Sequence, residues 1–78
     1  MPELMLHRDH ITLAQAVKAA GLAGSGGQAK FMVREGSVTV NAVPEAHPGR
    51  KLVAGDCFRV ADGEEWTIKP YELEAGDV

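Results

Sequence analysis

The residues best suited to chemistry in this sequence lie between Ser25 and Arg34. Ser25-Gly26-Gly27-Gln28 has the spacing of a capping box, in which the serine hydroxyl accepts from a backbone N–H three residues on. A helix that begins there presents unpaired N–H groups and the positive end of its dipole, which suits phosphate. Gly26 and Gly27 carry no side chain to hold a phosphate backbone away. Glycine costs a helical turn roughly 1 kcal/mol relative to alanine, so either backbone access or a tight helix–helix crossing is expected in return. Lys30 and Arg34 follow four residues apart and share one helical face. Arg50 and Lys51, beside the turn pair Pro48-Gly49, can close the patch from a second side as they enter the sheet. Lys18, His47 and Phe31 are further candidate contacts. Phe31 borders both the basic face and the apolar stripe of its helix, so it reads first as core and second as a stacking platform. The chemistry of this set is the binding of a polyanion.

Bond-making chemistry has no comparable set. His7, His10 and His47 are scattered, and no cysteines stand at ligand spacing beside them, so they read as surface histidines and no metal or other cofactor is expected. Cys57 has no partner in a Cys-x-x-Cys pattern and opens an apolar strand, which reads as a packed thiol. Ser25 has no base at a motif spacing, so it is a cap and not a nucleophile. Trp66 reads as core. The expectation is a protein without catalytic activity.

The elements that hold these residues follow from periodicity. Thr12-Leu13-Ala14-Gln15 is a first capping box, and Leu13, Ala16, Val17 and Ala20 follow on one face, with Gly21 as the stop. The first helix is expected over residues 13–20, with Lys18 pointing away from the apolar face. The second runs from Ser25 to a stop at Gly36, with Ala29, Met32 and Val33 inward. The period then changes to two. Val38 and Val40 alternate with polar neighbours as a strand, Asn41-Ala42 and Ala54-Gly55-Asp56 mark turns, and Leu4-Met5-Leu6 is an edge strand or packed arm. Phe58 and Val60 face Trp66 and Ile68 across Asp62-Gly63, a hairpin with an aromatic on each arm. The fold class is α+β: two short helices, a helical hairpin, packed on a small, mostly antiparallel sheet.

The chain has 78 residues and a formal net charge of -3. That sum conceals an asymmetry. Residues 61–78 hold six acidic side chains against Lys69 alone, whereas residues 1–60 hold seven basic against five acidic. Exposed charges more than about 8 Å apart are largely screened at physiological salt, so a local basic patch can act although the chain is acidic. Residues 1–70 are expected to form one domain. Residues 71–78 are expected to be a disordered acidic tail that competes with a polyanion for the patch. With one cysteine, no signal-peptide pattern and no long apolar run, the expected location is the cytoplasm, away from membranes.

A family pattern joins these pieces. Leu13-Ala14-Gln15-Ala16-Val17-Lys18-Ala19-Ala20-Gly21-Leu22-Ala23, then Ser25-Gly26-Gly27-Gln28-Ala29-Lys30, Glu35-Gly36-Ser37-Val38-Thr39-Val40-Asn41, Gly49-Arg50-Lys51-Leu52 and Gly55-Asp56 appear in the order and spacing of one module. The run from Thr12 to Val60 resembles the S4-type RNA-binding domain, and its Ile11-Thr12-Leu13 and Ser-Gly-Gly segments look like the free-standing bacterial YbcJ-like branch. The resemblance implies an αL-type helical hairpin that binds structured RNA, ribosomal or transfer RNA, without catalysis and not DNA. It places Ser25, Gln28, Lys30 and Arg34 on the contact helix and Arg50 and Lys51 on a basic turn. Two positions depart from the family: Gly26-Gly27 stand where basic residues are common, and Asn41-Ala42 stand where Asn-Gly is common. The alternative is a protein-interaction adaptor of the same fold, docked on a ribosomal particle.

Overall fold

The computed structural model describes residues 2–70. Helix α1 (Leu13–Ala19) starts as its sequence dictates. Thr12 Oγ1 accepts from the Gln15 N–H at 3.2 Å, and Gln15 Oε1 accepts from the Thr12 N–H at 3.0 Å, so the capping box is complete. Ala20 caps the other end, and Gly21 follows with φ of +78°. Helix α2 (Gly26–Arg34) starts at Ser25, whose Oγ accepts from the Gln28 N–H at 3.1 Å. The expected second box does not close. Gln28 Oε1 accepts from the Gly24 N–H at 2.6 Å and so bypasses Ser25. Gly24 permits this, because a Cβ there would stand only 3.2 Å from that oxygen.

The strands are β1 (Glu3–Met5), β2 (Ile11–Thr12), β3 (Val38–Val40), β4 (Val43–Pro44), β5 (Lys51–Leu52), β6 (Cys57–Val60) and β7 (Glu65–Lys69). Five of them form a sheet in the order β1-β7-β6-β3-β4. Every pairing in it is antiparallel except β1 with β7, so β1 is the expected edge strand and the α+β class holds. In the β6–β7 hairpin Phe58 lies opposite Trp66, with ring centroids 6.3 Å apart and planes inclined by 15°. Such a pair contributes about 0.5–1.5 kcal/mol beyond its buried area. Trp66 is half-buried against the core, which Phe58 enters fully. Between β3 and β4 the two-residue loop Asn41-Ala42 has φ of +52° and +70°. This is the left-handed pair that a tight hairpin turn requires, kept here without glycine.

Strands β2 and β5 form a separate antiparallel pair, with Thr12 opposite Lys51. The basic turn therefore does not enter the main sheet, as the sequence suggested. It caps α1 instead. The Leu13 N–H donates to the Arg50 carbonyl at 2.8 Å, and the Ala14 N–H donates to the Pro48 carbonyl at 3.1 Å. Those bonds satisfy N–H groups that a helix start leaves open, and they fix the Pro48–Arg50 backbone against α1. The core gathers Leu13, Ala16 and Val17 from α1, Ala29 and Val33 from α2, and Val38, Val40, Leu52, Phe58 and Ile68 from the strands. The two helices pack on each other and on the sheet through this one cluster.

Candidate nucleic-acid interface

Three elements meet in an open cleft of about 380 Å³. Helix α1 supplies Ala14, Gln15 and Lys18, α2 supplies Gly26 and Lys30, and the turn before β5 supplies Pro48 and Gly49. None of the described residues that line it is a carboxylate. Helical phase explains the two lysines. Lys18 stands one turn beyond Ala14, and Lys30 stands one turn beyond Gly26, so both border the groove between the packed helices.

The glycines are not there for packing. A Cβ built on Gly26 meets nothing within 4 Å, and one built on Gly27 meets only Ser25 Oγ at 4.0 Å. The tight-crossing explanation for the pair therefore fails. At Gly26 the missing side chain leaves the cleft floor open.

The expected contact residues fall into distinct groups. Lys18 and Lys30 line the cleft, and Arg34 lies exposed one turn beyond Lys30 on the same face. Lys51 is exposed on β5, outside the cleft lining. Among the described residues, none of these four cations has a carboxylate within 4.0 Å. Ser25 is exposed, with its oxygen committed to the helix cap. Gln28 is exposed with its oxygen committed to Gly24, which leaves its amide nitrogen as the end open to a ligand. Gly27 is exposed outside the cleft.

Arg50 and His47 differ from these four cations. Arg50 Nη1 donates to Glu45 Oε1 at 2.7 Å, and His47 Nδ1 lies 2.7 Å from Glu45 Oε2. The Arg50 hydrogen bond, with the His47 bond second, holds the Glu45 carboxyl well below its ordinary range, down to about 2. Arg50 therefore brings its own counter-charge to the patch.

Phe31 corrects the reading of it as core. It is 63% exposed, beside Lys30 and three residues before Arg34. The inward stripe of α2 is already filled by Ala29 and Val33, with Met32 packed against the core, and the helix turns Phe31 away from it.

Thr12, Gln15, Pro48 and Gly49 also border the cleft, and their only sequence signals are the first capping box and a turn, neither of which points to a site. Among the described residues, no helix is long and apolar enough to cross a membrane. The expected acidic tail, residues 71–78, lies outside the described residues.

Comparison with known proteins points to one family. The family model of the S4 domain matches residues 4–69, beyond both ends of the pattern read from residues 12–60. A curated protein of Bacillus subtilis (strain 168), "Probable ribosome maturation protein RlbA", is 39% identical over 57 residues, which is 73% of this chain and 80% of that protein.

Proposed function

The chain belongs to the S4 domain family, and from that premise we propose that it is a non-catalytic module that binds structured RNA during ribosome maturation in the cytoplasm. The observation that carries the reading is the cleft in which Lys18 and Lys30 flank the open backbone of Gly26, with no carboxylate among the described residues that line it. A phosphodiester backbone fits that chemistry, because it needs cations and close approach and has no use for a catalytic group. Arg34 and Lys51 extend the positive surface, and Phe31 offers a face for an unpaired base. Ribosomal RNA is preferred over transfer RNA because the relative carries a ribosome-maturation name. Recognition by backbone and shape, more than by base sequence, matches a site built from two lysines and glycine backbone.

The test is binding of purified small- and large-subunit ribosomal RNA, and of bulk transfer RNA, across a salt series. With three or four phosphates neutralised on single-stranded segments, log K should fall against log salt with a slope of roughly -2 to -3. The Lys18→Glu/Lys30→Glu protein should lose most of that binding. Equal affinity for the parent and the double variant would remove the cleft from the interface. A partner that survives nuclease treatment in a pull-down would favour the protein-adaptor alternative.

A further inference from the structure

Helix α1 has a second hollow on its other flank. It measures about 270 Å³, and its lining includes His7, Arg8 and His10 from the β1–β2 connection and Gln15 and Ala19 from α1. As in the first cleft, no carboxylate is among the described residues that line it. Asp9 opens onto a different hollow, which Arg8 also borders. Arg8 is exposed, and among the described residues it has no carboxylate within 4.0 Å. His7 is exposed and His10 half-buried.

Gln15 lines both hollows. The capping box ties its Oε1 to the Thr12 N–H, so the amide nitrogen is the end left to donate to a ligand. A helix with its side chains is about 10–12 Å across. A stretch of backbone a few nucleotides long can therefore pass from one flank of α1 to the other across Gln15.

We propose that the His7, Arg8 and His10 hollow is a second RNA-backbone site, holding phosphates of the strand that leaves the inter-helix cleft over Gln15. The proposal rests on the RNA-binding reading above and enlarges its footprint to the opposite flank of α1. Arg8 is the principal cation of this site, and the two imidazoles and the Gln15 amide supply further hydrogen-bond donors.

The experiment compares four proteins on purified small- and large-subunit ribosomal RNA over a salt series: the parent chain, Arg8→Ala, His7→Ala/Arg8→Ala/His10→Ala, and Lys18→Ala/Lys30→Ala. Arg8→Ala should bind about three- to tenfold more weakly at low salt, with the salt slope shallower by about 0.7 to 1. The triple variant should lose more. Arg8 is exposed, so its single variant guards against a folding defect from the half-buried His10, and thermal melts of all four proteins check this. Parental affinity and slope in Arg8→Ala, alongside weakened binding by Lys18→Ala/Lys30→Ala, would overturn the second site and leave the first intact. Failure of the parent chain to bind would overturn both.

Discussion

Arg50 is paired with Glu45 at 2.7 Å, so one of the two cations of the basic turn already carries its counter-charge before any RNA arrives. A phosphate that engages Arg50 must compete with a carboxylate already in place. Removing that competitor should raise affinity. Glu45→Gln is expected to tighten ribosomal-RNA binding about two- to fivefold at low salt, with the gain fading at high salt as exposed charges are screened. Unchanged or weaker binding at low salt would mean that Arg50 serves the turn and not the RNA.

The same pairing predicts a pH dependence of stability. Glu45 titrates at about 2 in the folded protein against an ordinary value of 4.5. A depressed carboxyl stabilises the folded state above its unfolded pKa, and that contribution is lost as pH falls through the folded value. The melting temperature of the parent should therefore decline between about pH 4.5 and 2 in part through this group. Glu45→Gln, which cannot ionise, should show a shallower decline over that window. Parallel acid limbs in thermal melts of the two proteins would exclude the contribution.

Ala42 occupies a left-handed position, φ +70°, in the β3–β4 turn. A side chain in that region costs roughly 1–2 kcal/mol, and glycine's extra freedom in the unfolded chain returns about 0.4–1 kcal/mol of it. Ala42→Gly should stabilise the domain by about 0.5–1 kcal/mol, readable as a higher denaturant midpoint at unchanged m-value. Asn41 should not be exchanged in the same way. Its side chain donates to Asp56 Oδ1 at 3.2 Å and accepts from the Cys57 N–H at 2.9 Å, tying this turn to the one before β6.

What the sequence disclosed and what it concealed divide along contact range. The Thr12–Gln15 box, the Gly21 and Gly36 stops and the Phe58–Trp66 hairpin are local patterns with a fixed period or offset, and all were legible. The β2–β5 pair was not, because two-residue strands carry no period and their pairing spans the whole helical hairpin. Gln28 reached Gly24 because a flexible amide has two N–H groups within reach, and a spacing rule does not choose between them. Within the site, Lys30 and Arg34 were legible as a pair on one face. The juxtaposition of Lys18 with Lys30 depends on how α1 packs on α2, and the loss of Arg50 to Glu45 depends on the folded turn.

Phe31 tests whether the exposed face of α2 meets bases as well as phosphates. Its ring is 63% exposed and outside the core, so Phe31→Ala should change stability by less than about 0.5 kcal/mol. Loss of a base stacked on it would weaken RNA binding by about 1–3 kcal/mol with little change in salt slope, since stacking releases no counterions. Binding equal to the parent would restrict the contact to backbone.

Gly26 sets stability against function in one residue. Its φ is not in the left-handed region, and a methyl there meets nothing within 4 Å, so alanine fits the folded chain. Gly26→Ala should stabilise α2, by up to about 1 kcal/mol, because alanine loses less backbone freedom on folding. Gly27→Ala should do the same, with only Ser25 Oγ at 4.0 Å nearby. The two variants part at the cleft, which Gly26 lines and Gly27 does not. A methyl at Gly26 projects where the phosphate backbone must come close, so Gly26→Ala should bind ribosomal RNA more weakly despite its higher melting temperature. Gly27→Ala should gain stability and keep its affinity. If both variants are stabilised and both bind as the parent does, the RNA does not approach through Gly26, and the lysines act from the rim of the cleft alone.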